Sequence, residues 1–462
     1  MKILVILSLF FTHSVFASID TIWFNANIHT MNDFSPHAEA IAVSDGRIVE
    51  IGKNENILKM REFKTKLIGL GGKTLLPGFI ETYGSLTGTA MKSIGADLSA
   101  VEGKNSLRLI RERLSEFLKN SPYPEDYGVL IGFGYNLKKN HPKKEDLDRI
   151  SSEIPILVIH KNGETGVMNT KALSLIGLTS LKGEESKGIL EGIRLAENTT
   201  KLISNLSDRQ LIDILLQGEK EYLKQGFTTI QDEGTSQGQI EILMKASKEK
   251  KLTLDVVSYL DYFKDDLKSL LEYPYYENVN SNPMYTYHYR LGGYRVRLDE
   301  FKDLYAIYED CLKNFHQVIN IAKGSKDIDQ MLKSYRKAKI KYPASQIRPV
   351  LISDKPLTEK QIKEVEELEI IISSSQAERR AITSSTALKA ITKQAAYQYF
   401  EEKTKGTLEK GKIADFTILS KDPLNSNKSE LKKIKVLETI KEGISVYRHP
   451  SFKIKNRSYK SN

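Results

Sequence analysis

Cysteine is almost absent, with Cys311 the single one in 462 residues. One thiol cannot close an internal disulfide, so a disulfide scaffold is excluded. No cysteine follows the N-terminal apolar run to accept a lipid. Beyond the first 17 residues no segment is apolar enough to span a bilayer. Repeats and low-complexity tracts are missing. No lysine run is interleaved with stacking aromatics, so no nucleic-acid partner is expected despite a net charge of +10. Histidine is scarce too. Seven remain after the leader, His29, His37, His141, His160, His288, His316 and His449, and no pair has a His-x-His or a four-residue helical spacing. Each reads as a structural or surface imidazole rather than a metal ligand.

What is present suits a large folded chain, with 40% hydrophobic and 28% charged residues. Lys2 followed by the apolar run Ile3 to Phe11, then Val15-Phe16-Ala17, has the form of a cleaved export signal over residues 1–17. An exported protein, periplasmic or secreted, is expected, with no membrane span after cleavage. Strand-like segments gather at both ends. Thr21 to Thr30 is rich in β-branched and aromatic residues, and Ala40 to Ile51 places Asp45-Gly46 between two apolar runs, a tight-hairpin signal. Lys412 to Leu419 and Lys435 to Tyr447 have the same character. The middle alternates. Ser207 can cap a helix that runs to about Gln225, Gly226 stops it, and Phe227 to Gln231 is the next strand. Strands at 254–260, 316–322, 348–352 and 370–373 alternate with helices at 327–337 and 358–368. Such alternation means a parallel sheet with right-handed crossovers, and at this length a (β/α) barrel.

Two segments carry a family resemblance. Gly71-Gly72-Lys73-Thr74-Leu75-Leu76-Pro77-Gly78-Phe79-Ile80 opens the barrel region, and Gly406 to Phe416 (GTLEKGKIADF) follows it. Weaker support comes from Gly132-Phe133-Gly134-Tyr135, Gly226 to Asp232 and Leu291-Gly292-Gly293. In this order they resemble the amidohydrolase superfamily, in particular the amidohydrolase-3 group that includes N-substituted formamide deformylase. The resemblance implies an α/β fold: a TIM-like (β/α) barrel, complete or short of strands, with a split β-sandwich domain built from both termini. The expected division is 18–76 plus 405–450 for the β-sandwich and 77–404 for the barrel.

The family works with zinc or another divalent metal that polarises the scissile carbonyl and acidifies a bound water. The ligand positions are altered here. Tyr83 and Ser85 stand where the family has His-x-His, and Asn162-Gly163-Glu164 replaces Asp-Gly-His. Arg295 takes the place of a lysine that some members carboxylate, and a guanidinium stays protonated. Asn320 precedes Ile321-Ala322, and the next strand ends in Ser353. A Ser-Asp-x-Pro segment is not found between Ser373 and Ala387. No bound cofactor and no metal ligand are therefore expected.

The mouth should stay polar. Glu81, Glu164, Asp232, Asp299 and Glu300 are its expected acids, and Arg295, Arg297 and Lys323 its bases. A buried carboxylate needs a counter-charge once a metal is gone, and an arginine or lysine can supply it. Asp232, Glu164 and Glu81 are the candidates for acid–base chemistry, although Asp232 can equally be a helix cap. Tyr83, Ser85, Arg295, Arg297, Asn320, Lys323 and Ser353 are the candidates for ligand binding. Tyrosines crowd 273–294, as a contact surface or as rim packing. The expected partner is a small polar or charged ligand, with a protein partner or a second copy of the chain as alternatives. Two functions remain open: a pseudoenzyme that binds such a ligand, and an active hydrolase of non-peptide C–N bonds.

Overall fold

The computed structural model describes residues 18–456 apart from 104, 181, 204–205, 263–284, 354, 374–384 and 454. The expected export signal over 1–17 and most of the tyrosine-rich stretch lie outside the described residues. Among the described residues no helix is long and apolar enough to cross a membrane. The chain divides into two compact units, residues 1–80 with 381–462, and residues 81–380.

The first unit is built from both ends of the chain. Thr21–Phe24 pairs antiparallel with Ala40–Ser44, which turns at Asp45-Gly46 into Arg47–Gly52. Both turn residues have positive φ, 47° and 70°, the backbone a right-twisted two-residue hairpin demands. A second sheet places Phe416–Leu419, from the far end of the sequence, against Thr74–Pro77. Trp23, Ile41 and Ile68 from the first sheet and Ile28, Leu75, Phe416 and Ile440 from the second share one apolar core.

The second unit holds two sheets. In the larger one six strands lie side by side in sequence order and all parallel: Phe227–Thr235, Asp255–Asp261, Tyr289–Arg297, Gln317–Ala322, Val350–Ser353 and Ile371–Ser373. The helices between them cover apolar strand faces such as Val256, Leu291, Val318 and Leu351, all buried. Asp208–Leu223 starts where Ser207 and Gln210 cap each other's backbone N–H groups. The sheet is curved enough that one short segment reaches both of its outer strands. The Glu81 N–H donates to the Thr229 carbonyl at 2.9 Å, and the next side chain, Thr82, meets Ser373 at 3.3 Å.

The other sheet departs from simple alternation. Ala96–Asp97, Leu130–Tyr135 and Ile156–His160 are parallel, but Thr165–Met168 and Ile189–Glu191 run antiparallel to their neighbours. The physical reason is loop length. Four residues separate His160 from Thr165, too few for a crossover, so the strand must fold straight back.

Candidate functional site

All six parallel strands end on one side, and that end carries a group of half-buried charges. Asp261 closes its strand and is in register with Arg295 on the next. The Arg295 guanidinium grips Asp261 with two N–H groups, Nε to Oδ1 at 2.7 Å and Nη2 to Oδ2 at 3.0 Å. Its Nη1 lies 3.8 Å from Glu233 Oε2. Gly234 makes room for this arginine. It has φ +63°, and a Cβ there would lie 2.5 Å from Nη2. Burial pushes the Glu233 carboxyl up to about 7, working against the attraction of Arg295 and aided by the neighbouring Asp232.

The raised acid sets a pH dependence. In the unfolded chain a glutamate titrates near 4.3, so folded Glu233 holds its proton more tightly. Stability from this group is present at low pH and falls as pH rises through the window from about 4.3 to about 7. Glu233→Gln is expected to flatten that slope by on the order of 2 kcal/mol. Urea titrations at pH 5 and pH 8 measure it, and an unchanged slope would reject the assignment.

Asp232, beside Glu233, is fully buried and turned away from Arg295's pair. Its Oδ1 accepts from the Thr87 backbone N–H at 3.1 Å, the Thr87 hydroxyl at 3.1 Å and Ser85 Oγ at 3.4 Å, and its Oδ2 accepts from Thr235 at 3.1 Å. Burial raises its pKa against these donors. It therefore caps Leu86–Ser93, a helix far earlier in the sequence, while Ser236 and Gln239 serve the helix that follows Asp232. Ser85 is also spent there, accepting from the Gly88 N–H at 3.0 Å.

The other sequence candidates scatter. Glu81 is buried and accepts from the Tyr83 N–H at 3.0 Å, and Tyr83 lies close enough to act on the Arg295 charge. Arg297 pairs with Glu300 at 3.5 Å and Lys323 with Asp299 at 2.6 Å, both on the exposed rim. Ser353 is held by its own turn, donating to the Lys355 carbonyl. Asn320 points to the helix layer, where its carbonyl accepts from Tyr308 at 2.7 Å and its amide donates to the Val350 carbonyl. Glu164 is exposed, in the turn after His160 on the mixed sheet. Sequence reasoning missed Asp261 and Glu233. Counting along the strand would have put Asp261 at its end, while nothing in the residue string separated Glu233 from Asp232.

The sequence profile of the amidohydrolase family matches residues 66–378 and 374–447. The chain belongs to the amidohydrolase family. Over 177 residues it is 33% identical to the exoenzymes regulatory protein AepA of Pectobacterium carotovorum subsp. carotovorum, covering 37% of either chain. Over 174 residues it is 25% identical to the N-substituted formamide deformylase of Arthrobacter pascens, covering 37% of this chain and 32% of that one. The aligned stretches thus span well under half of either curated relative. An uncharacterized metal-dependent hydrolase from Pyrococcus furiosus has the same fold, with a TM-score of 0.68 at 19% identity, covering 88% of this chain and 100% of that one. A second, from Pyrococcus horikoshii OT3, gives a TM-score of 0.69 at 18% identity, covering 88% and 99%. These matches carry the α/β, TIM-like barrel class.

The expectation that no cofactor is bound is overturned. The fold is that of metal-dependent hydrolases, and the folded chain of this amidohydrolase gathers metal-capable groups that sequence spacing hid. Asp255 and His288 meet, with His288 Nδ1 2.7 Å from Asp255 Oδ1. They are 33 residues apart in sequence, so no motif announced them. Both stand at the N-terminal ends of their strands, opposite to Arg295. The C-terminal strand ends do not fit the family's ion. Arg295 is a cation clamped by carboxylate, the Asn320 carbonyl is taken by Tyr308, and Ser85 and Ser353 are held in local turns.

Proposed function

We propose that the chain uses the amidohydrolase scaffold to bind a small polar ligand at the C-terminal strand ends, and that it does not hydrolyse a C–N bond there. One observation carries this reading. Arg295, locked to Asp261 and facing Glu233, puts a fixed positive charge where catalysis in the family requires a Lewis acid and an activated water. A guanidinium attracts anions and orients carbonyl oxygens, but it carries no exchangeable water to activate. Tyr83 borders the same charge. The name of AepA, a regulatory protein, supports a use of this scaffold other than turnover. We also propose export, on the strength of Lys2, the apolar run to Phe11 and Val15-Phe16-Ala17, and, as the finer architecture, a (β/α) barrel, complete or short of strands, with a split β-sandwich domain.

The test uses the full chain and an N-substituted formamide, the substrate class named for the Arthrobacter relative. With and without added zinc, no release of formate above the buffer background is expected. In native mass spectrometry a co-purifying small molecule should be lost in Arg295→Met. Zinc-dependent formate release would establish the competing function, a C–N hydrolase.

A further inference from the structure

The β unit contains a pair of imidazoles that the strand-end site does not use. His29 and His37 face each other directly across the antiparallel pair Asn27–His29 and His37–Ala38. Directly opposed residues leave the same face of a sheet. The two rings are 5.2 Å apart between centroids and inclined at 66°. Behind His29 stands Asp422. Its Oδ2 lies 3.0 Å from His29 Nε2 and accepts from Asn27 and Asn425 at 2.9 and 2.7 Å, while its Oδ1 accepts from the Leu424 N–H at 2.9 Å. With Asp422 Oδ2 3.0 Å from Nε2, the tautomer that carries its proton on Nε2 donates to this carboxylate and leaves Nδ1 as the lone-pair position. A carboxylate that fixes the tautomer of an imidazole is the arrangement found behind histidine ligands of metals.

We propose that His29 and His37 form a two-imidazole site for a first-row divalent transition-metal ion, with Asp422 as the residue that orients His29. The spacing suits this. With metal–nitrogen bonds of about 2.0 Å, an ion sits about 3.2 Å from each ring centroid, and a ligand angle near 105° then separates the centroids by about 5 Å. His29 is buried and His37 exposed, so one ligand is rigid and the other closes from the solvent side. The remaining positions are left to water or to an external ligand. Among divalent ions, Cu(II) binds two imidazoles most tightly.

The experiment is a Cu(II) titration of the full chain followed by electron paramagnetic resonance. One bound ion with hyperfine splitting from two imidazole nitrogens is expected, whether or not a further ion binds elsewhere. His37→Ala, an exposed change that leaves the circular dichroism spectrum intact, should weaken binding at least tenfold and remove one nitrogen from the splitting. Asp422→Asn should weaken it about 10- to 100-fold. His288→Ala should change neither, which separates this site from the Asp255–His288 group. Absence of binding at micromolar Cu(II), or unchanged affinity and splitting in His37→Ala, would overturn the proposal.

Discussion

Arg295→Met is expected to lower the free energy of unfolding by about 3 kcal/mol at pH 8. The substitution keeps the length and apolar stem of the side chain and removes only the guanidinium. Asp261 and Glu233, at 34% and 19% side-chain exposure, then lose their closest counter-charge, and only the field of Arg297 still acts on Glu233. Breaking a buried pair this way typically costs about 3–5 kcal/mol, and the partial exposure of Asp261 puts this case at the lower end. The loss should shrink with acid. Glu233 already titrates at about 7 with the arginine in place. Without it the carboxyl climbs higher and is neutral at pH 5, so less uncompensated charge remains. Urea unfolding of wild type and Arg295→Met at pH 5 and pH 8 measures both numbers. The triple variant with Asp261→Asn and Glu233→Gln should recover most of the loss. An equal loss at both pH values would mean that Arg295 acts through packing alone.

That arginine was legible in the sequence as a replacement, but its partners were not. Arg295 could be found because Gly292-Gly293 marks its strand. Asp261 and Glu233 come from strands 34 and 62 residues earlier, and only the pairing register decides that the three meet. Local signals fared better. Asp45-Gly46 gave its hairpin, and Ser207 gave its helix start, because each acts within four residues. Facing was illegible for Asn320. Its neighbours Ile319 and Ile321 are both apolar, as in any strand covered on two sides, so no alternation told the mouth from the helix layer. The metal-capable pair of Asp255 and His288 escaped for the same reason as Asp261. A spacing rule reads one strand, and this pair spans two.

Asp232→Ala should be the more damaging change, at about 4 kcal/mol. Four hydrogen bonds converge on this carboxylate, three of them from the start of Leu86–Ser93. Alanine leaves the Thr87 N–H and the Thr87 and Ser85 hydroxyls without this acceptor, while Thr235 keeps the Asp232 backbone carbonyl, and each orphaned buried donor costs about 1–3 kcal/mol before relaxation. Removing the helix cap is part of that sum. Asp232→Asn separates charge from shape. The amide oxygen can keep both Thr87 contacts, and the Thr235 hydroxyl can rotate to accept from the amide nitrogen, so a loss near 1 kcal/mol is expected. Since burial raises the pKa of Asp232, its contribution to stability is greatest at low pH and declines as pH rises. The gap between Asp232→Asn and wild type should therefore narrow, or change sign, toward high pH. If alanine and asparagine prove equally damaging at neutral pH, the negative charge itself is needed. Asp232 would then belong to the strand-end electrostatics with Glu233 and Arg295, and its role would no longer be that of a cap.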